Sequence, residues 1–279
     1  MITLPYWVLL LLLIGFASGM YVFLKSFFSG KSKNWPRSIP KTRVPHDKDE
    51  ETRRDFVANV SHELRTPVSI IKGFADSLLE DYEILKEKQR KSFLFKIQKN
   101  AERLNLLVED LLSLAKLEKP QTTLVKEPLD LCSLIQNIEE EYKQRKEASL
   151  PRLKLKSPSN SLVVQADHQK IISVFENLID NAIIHADGIS CITLCLSENP
   201  FKQTVVCEIE DDGKGIPTED QEMLFERFYR VDKGRSRKKG GTGLGLSIAR
   251  EIIEAHAGVI SVRSQIGSGT VFSFELPKV

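Results

Sequence analysis

The stretch "FVANVSHELRTPVSI", Phe56 to Ile70, sets a histidine and a glutamate side by side, His62 and Glu63, inside an amphipathic helical pattern. Val57, Val60, Leu64, Val68, Ile71 and Leu78 keep one apolar stripe at about 100° per residue, and His62 falls roughly 170° from the centre of that stripe. The imidazole is therefore expected to face water. An HExxH zinc helix needs a second histidine where Thr66 stands, so that chemistry is excluded. What remains for the pair is nucleophilic: a neutral imidazole attacks a phosphorus centre through one ring nitrogen while a neighbouring carboxylate holds the other N–H. Exposure suits such a nucleophile, because two different macromolecular surfaces must reach the same nitrogen in turn. Pro67 removes a backbone donor just after the pair and is expected to bend the helix there.

Three later stretches carry further polar chemistry. "FENLIDNAIIHA" sets Asn177 and Asn181 four residues apart, on one face of a helix. Two amide oxygens so placed suit a hard cation such as Mg2+ shared with phosphate oxygens, and they equally suit buried or capping asparagines. "DDGKGIP" is either a plain turn or a site in which Asp211 accepts from an exocyclic amine while Gly213 and Gly215 let a ring approach the backbone. "KKGGTGLGLSIAR" leads glycines into a helix N-terminus, a phosphate cradle by exposed N–H groups and helix dipole. No strand precedes that motif and no GxxxxGK[ST] occurs, so neither a dinucleotide fold nor a P-loop is indicated.

These groups need elements to hold them. Leu4 to Leu24 is 21 residues without a charge, enough to span a hydrocarbon core of about 30 Å, with no basic residue before it to suggest a signal peptide. Lys25, Lys31, Lys33, Arg37, Lys41 and Arg43 follow without an acid until Asp47, so the positive-inside rule places the rest in the cytoplasm and only Met1 to Thr3 outside. With so small a stub, a stimulus is expected from lipid, a partner's membrane helix or the cytoplasm. A basic, proline-bearing juxtamembrane linker (residues 25–49) comes next. The second long helical pattern, Leu94, Ile97, Ala101, Leu104, Val108, Leu111 and Ala115, is a heptad seam widened by Phe93, Leu107 and Leu114. Two such helices joined near Asp81 to Lys88 predict a hairpin that dimerises into a four-helix bundle over residues 50–119. Beyond Pro120, strands at Leu153–Lys156, Leu162–Ala166, Ile192–Leu196, Thr204–Glu210, Val259–Ser264 and Thr270–Leu276 interleave with helices at Leu131–Lys146, Gln169–Ile184 and Gly245–His256. That pattern predicts a two-layer α/β sandwich over residues 120–279, with helices on one face of a mixed sheet, and an α+β chain overall.

Lys and Arg total 40 against 38 Asp and Glu, a net charge of +2 that gives no reason to expect nucleic acid. Cys132, Cys191, Cys195 and Cys207 form no CxxC pair and read as reduced thiols, and the five histidines pair with nothing at metal-ligand spacing.

In order and spacing, these motifs resemble membrane-bound sensor histidine kinases of bacterial two-component systems, of a PhoR-like kind. "FVANVSHELRTPVSII" resembles the H box, "NLIDNA" the N box, "DDGKGIP" the first glycine box, "LFERFYRVD" the F box, "GGTGLGLSIA" the second glycine box and "GSGTVFSFELP" the closing glycine motif. The resemblance implies a HisKA-type phosphoacceptor hairpin joined to a Bergerat-type ATPase domain, a homodimer, and a response regulator as partner. By the same resemblance His62 would be autophosphorylated, Glu63 would act as its base or orienter, and Thr66 would position water for dephosphorylating the regulator. Asn177 and Asn181 would hold Mg2+ and phosphates, Asp211 the adenine amine, and Gly213, Gly215, Gly241, Thr242, Gly243, Leu244 and Gly245 the nucleotide pocket of ATP. Arg230 would reach the terminal phosphates, and Asp232 to Gly241 would form a lid. Ile184 and His185 stand where the family carries Lys and Tyr. Arg230, Lys233 or Arg237 would then supply the missing charge, and His185 would stack on adenine. A pseudokinase scaffold without ATP turnover is the alternative, and Ile184 alone favours it. With no sizeable outer domain, a membrane partner protein is expected to bring the signal.

Overall fold

A computed structural model describes residues 46–118, 124–144, 150–158, 160–185, 188–231 and 241–279. The expected membrane span, the basic linker as far as Pro45, and the lid residues Lys233 and Arg237 lie outside the described residues. Among the described residues no helix is long and apolar enough to cross a membrane. The compact unit Glu51–Val279 holds a helical hairpin and an α/β region.

The hairpin is α1 (His46–Glu80) and α2 (Glu87–Leu117). Helix α1 runs through Pro67, which is buried, and Thr66 Oγ1 donates to the His62 carbonyl one turn back at 3.2 Å. The turn between the helices ends where the Lys86 N–H donates to Gln89 Oε1 at 3.0 Å. Near this end Phe74 and Phe93 stack across the hairpin with centroids 4.9 Å apart, and the Lys96 ammonium sits 4.6 Å above the Phe74 ring.

The α/β region begins with β1 (Glu127–Asp130) and α3 (Leu131–Gln144), then β2 (Arg152–Lys156), β3 (Val163–Ala166) and α4 (His168–His185). It continues through the long hairpin β4 (Cys191–Asn199) and β5 (Thr204–Asp211), the short α5 (Thr218–Gln221), α6 (Gly245–Ala255), β6 (Val259–Gln265) and β7 (Gly269–Pro277). The main sheet has the order β2-β4-β5-β7-β6; β2 lies parallel to β4 and the other pairs are antiparallel. Strict alternation in β5 and β7 sends Val205, Cys207, Ile209, Phe272, Phe274 and Leu276 to one buried face. Helices α3, α4 and α6 cover that face, with Phe175 meeting Phe274 edge-on at 5.3 Å. On the other face Arg263 pairs with Glu208 at 2.6 Å.

The sequence reading misses two elements. Strand β1, which pairs antiparallel with β3, contains Pro128, and a proline argues against a strand. Helix α5 is only one turn long. In α2, Leu94 and Ala101 of the expected seam are exposed in the single chain, and Leu107 and Leu114, read as widening that seam, are buried. They join the core of the α/β region together with the partly buried Phe56, Leu64, Leu111 and Leu117, so the lower half of the hairpin packs on that region.

Two capping groups fix the helices. Asp130 Oδ1 accepts from the Cys132 and Leu162 N–H groups, both at 3.1 Å, and its Oδ2 from the Ser133 hydroxyl at 2.8 Å. Burial pushes the Asp130 carboxyl up, but these hydrogen bonds outweigh it and hold the group below its ordinary value. At the end of α6, His256 Nε2 accepts the Asp167 N–H at 2.9 Å, which leaves the proton on Nδ1 to be donated to the Ile252 carbonyl at 2.7 Å. His256 thus ties α6 to the N-cap residue of α4, where Asp167 Oδ1 accepts the Lys170 N–H at 3.2 Å.

Burial holds the His256 imidazole below its ordinary value of 6.5, with Lys126 adding to the effect and Asp167 opposing it. A depressed folded value means the unfolded chain binds the proton first, so this contribution to stability is complete above about pH 6.5 and is lost as pH falls through the folded value. Denaturant midpoints measured from pH 7.5 to 5 should fall, and His256→Gln should flatten that slope while lowering the plateau.

Candidate functional site

A cavity of about 500 Å³ opens between α4, the loops after β5 and before α6, and the Leu106–Asp110 turn of α2. Asn177 and Asn181 line it from α4, one turn apart, as the helical spacing requires. The Asn177 Nδ2 donates to the Ser173 carbonyl at 2.9 Å, which fixes the amide and turns its Oδ1 toward Gly245. Asp211, at the end of β5, is only 4% exposed. Burial raises its carboxyl above the ordinary range, although the N–H groups of Gly213 and Thr270 donate to it, the Gly213 bond being 2.9 Å. Its neighbour Asp212 has a different task. It accepts from the Ser190 and Cys191 N–H groups at 2.8 and 3.0 Å and so ties the loop after β5 to the start of β4.

The glycines act where side chains cannot fit. At Gly215, φ is +74° and an added Cβ would lie 2.1 Å from the Gln265 carbonyl oxygen. At Gly243, φ is +79° and a Cβ would meet Arg230 Nε at 3.0 Å, so the loop wraps against the arginine. The Gly243 carbonyl accepts the N–H of Phe228, itself held at φ 65°, at 2.8 Å. The loop before α6 and the "FERFYR" segment are thereby one unit. Helix α6 then begins with Leu244 fully buried as its N-cap.

Of the sequence-predicted residues, Asn177, Asn181, His185, Asp211, Gly215, Arg230, Gly241, Thr242, Gly243 and Gly245 line this one cavity. The His185 ring abuts Gly241, with Nε2 3.3 Å from where a Cβ would stand. Gly213 and Leu244 shape the walls from behind without lining them. Ile184 lines the cavity as an apolar residue, and Lys214, which sequence reasoning passed over, lines it as well. Its position between two glycines of "DDGKGIP" was the available signal.

His62, Glu63 and Thr66 are outside the cavity lining. His62 is exposed on α1, as its helical angle predicts. Glu63 Oε2 accepts from Arg103 Nη2 at 2.9 Å and from Arg230 Nη2 at 3.3 Å. Consecutive residues on a helix diverge by about 100°, so Glu63 looks inward when His62 looks out. The three side chains are 12%, 12% and 7% exposed for Glu63, Arg103 and Arg230, which makes this a largely desolvated triad. Arg230 Nη2 also donates to the Gly241 carbonyl at 2.8 Å, and the Thr242 hydroxyl donates to Asp110 Oδ2 at 2.6 Å. Asp110 is a site residue that periodicity hid, since a polar residue beside a seam reads as solvated surface. Below these contacts Phe56 meets Phe228 at 5.7 Å, and Arg227 bridges Glu118 and Glu251 at 2.6 and 2.8 Å.

Among the described residues, no group of three or more His, Cys, Asp or Glu side chains is placed to hold a metal ion. The Asn177 and Asn181 amides are oxygen donors of the kind that complete the shell of a hard cation shared with phosphate.

Residues 52–120 match the His Kinase A (phospho-acceptor) domain, and residues 166–279 match the histidine kinase-, DNA gyrase B- and HSP90-like ATPase. The chain is 37% identical over 231 residues to the sensor histidine kinase WalK of Bacillus subtilis, covering 83% of this chain and 38% of that protein. It is 38% identical over 229 residues to the sensor protein kinase WalK of Staphylococcus aureus, covering 82% of this chain and 54% of that protein. The chain thus spans about two fifths to a half of the length of these relatives. Among solved structures, the Acinetobacter baumannii histidine kinase AdeS aligns with a TM-score of 0.60 at 29% identity, over 77% of this chain and 97% of AdeS. Histidine kinase ThkA, solved in complex with the response regulator protein TrrA, shares the fold with a TM-score of 0.66 at 24% identity, over 86% of this chain and 68% of ThkA.

The glycine geometry yields a stability test independent of any ligand. Gly267→Ala adds a Cβ into open space at φ +81° and should cost about 1–2 kcal/mol. Gly215→Ala adds the same strain plus a backbone clash and should cost clearly more in urea denaturation. Equal losses would show that the Gly215–Gln265 approach is not as close as described.

Proposed function

We propose, from the premise that the chain belongs to the sensor histidine kinases of two-component systems, that it binds ATP in the α/β cavity and autophosphorylates His62. The reading is carried by one observation. The two asparagines of α4, buried Asp211, Arg230 and the glycine loop before α6 meet in one cavity of about 500 Å³, the size range of a small-molecule site. The PhoR-like subdivision rests on motif resemblance alone.

In this reading Asp211 accepts from the exocyclic amine of adenine, and a carboxylate on an apolar floor makes that acceptor selective for an amine. Gly215 lets the ring lie close to the backbone. Phosphates run toward Gly243 and Gly245, where the α6 N-terminus presents N–H groups and its dipole. Arg230 compensates charge at the terminal phosphate, and Lys214 adds a cation where Ile184 has none to give. Asn177 and Asn181 would hold Mg2+, which would neutralise phosphate charge when bound.

The His62 lone pair attacks the γ-phosphorus as the bond to the β-phosphate oxygen breaks, so ADP leaves and the ring's other N–H gives up its proton. Positioning and charge neutralisation account for most of the rate in such transfers. Glu63, as the imidazole's base or orienter, exchanges Arg230 for the ring. The phosphohistidine then passes its group to an aspartate of a response regulator, and Thr66 positions water when the chain works as a phosphatase. Homodimerisation uses the hairpin surface left exposed around Leu94, Phe95 and Leu112. Leu4 to Leu24 anchors the chain in a membrane, where a partner protein supplies the signal.

Full-length protein incubated with γ-labelled ATP should acquire an acid-labile, base-stable label that His62→Gln abolishes. Acid-stable label, or undiminished labelling of His62→Gln, overturns the assignment. Asp211→Leu should reduce ATP affinity by at least about tenfold, the loss expected when a buried polar partner of the base is removed. Calorimetric titration with ATP against GTP reads it.

A further inference from the structure

We infer that Glu63 and Asp110 of the hairpin occupy donors, Arg230 and Thr242, that phosphate oxygens of the nucleotide would use, so that hairpin docking and phosphate binding compete for them. This rests on the nucleotide reading of the cavity given above.

The two contacts join the hairpin to the segment that flanks the glycine loop. Arg230 Nη2 donates to Glu63 Oε2 at 3.3 Å, and the Thr242 hydroxyl donates to Asp110 Oδ2 at 2.6 Å. A guanidinium and a hydroxyl beside a glycine loop are donors for any two-oxygen anion, and a carboxylate and a phosphate present the same acceptors to them. Asp110 lines the cavity together with Asn177, Asn181 and Gly243. A phosphate chain laid toward Gly243 therefore meets the Asp110 carboxylate, and like charges at that range in a half-closed site repel.

Both hairpin carboxylates keep a favourable environment when these contacts open. Arg103 Nη2 shares Glu63 Oε2 at 2.9 Å, so Glu63 keeps a cation when Arg230 turns to a phosphate. Burial also pushes the Asp110 carboxyl above its ordinary value, so that carboxylate is better solvated once released. His62 is exposed and absent from the cavity lining, so the docked arrangement is not one in which it reaches a bound phosphate. Phosphate binding would then undock the hairpin's carboxylates in the same event that charges the cavity. Nucleotide entry is thereby coupled to release of the segment that carries the acceptor histidine.

For a site of which only the undocked fraction is competent, the apparent dissociation constant is the intrinsic one divided by that fraction. Removing the Asp110 carboxylate should raise the fraction for ligands that bear phosphates and change nothing for adenosine. Dissociation constants for ATP and adenosine are to be measured by calorimetry on the full-length protein in detergent micelles, for wild type, Asp110→Ala and Asp110→Asn. The expectation is an ATP affinity about five- to twentyfold tighter in Asp110→Ala, a smaller gain in Asp110→Asn, and adenosine unchanged. In wild type, ATP but not adenosine should increase hydrogen exchange around residues 104–111. That measurement and Asp110→Asn decide the matter where Asp110→Ala fails to fold. ATP affinity unchanged or weakened by the substitutions, an equal shift for adenosine, or no ATP-specific rise in exchange overturns the inference while leaving the nucleotide reading intact. Wild-type protein that binds no ATP sinks both.

Discussion

A single carboxylate oxygen, Glu63 Oε2, lies between the guanidinium groups of Arg103 and Arg230, and the relation of the hairpin to the α/β region turns on it. All three side chains are largely withdrawn from water, so the shared carboxylate and the two guanidinium groups neutralise one another where solvent screens little. Arg230 extends the link to the Gly241 carbonyl, and from there the loop reaches Thr242 and Asp110. The apolar contacts underneath are broader but less selective. Leu107, Leu114, Phe56 and Leu64 press against the α/β core and tolerate sliding, whereas a shared oxygen at hydrogen-bond distance sets one register.

The α/β region is organised so that its polar loops converge at one end of the sheet. The buried face of β5 and β7 supplies a rigid floor, and Asp211 is the last residue of β5 to point into that face. Close approaches at Gly215 to Gln265, at Gly245 to Asn177 and at Gly269 to the Asp211 carbonyl leave no room for a Cβ, which draws three loops onto the same spot. His256 and Asp167 brace the opposite ends of α6 and α4. The helices that carry the asparagines and the glycine loop are therefore tied to each other at those ends.

Much of this was legible in the sequence, for physical reasons. Strands β4, β5 and β7 alternate cleanly because one face is buried and the other wet, and a period of two survives in any reading of the chain. The exposure of His62 followed from helical angle alone. Ten of the expected site residues share one cavity because their motifs are local and each lies on a short loop or a single helix turn. What escaped was non-local. Asp110 looks like ordinary helix surface until another part of the chain covers it, and Leu107 and Leu114 could not be told from Leu104 and Leu111 without knowing which partner each meets. The Glu63 contacts to Arg103 and Arg230 span 40 and 167 residues, separations that no local pattern encodes. Strand β1 was hidden by Pro128, whose pairing with Gln165 needs only one free edge.

The adjacency of His62 and Glu63 makes α1 behave as a cam. Because the two side chains leave the helix about 100° apart, a turn of the shaft that sweeps the imidazole toward the cavity carries the carboxylate away from its arginines. A rotation that favours the one side chain therefore disfavours the other. Torque on the helix would thereby trade the surroundings of one side chain against those of the other.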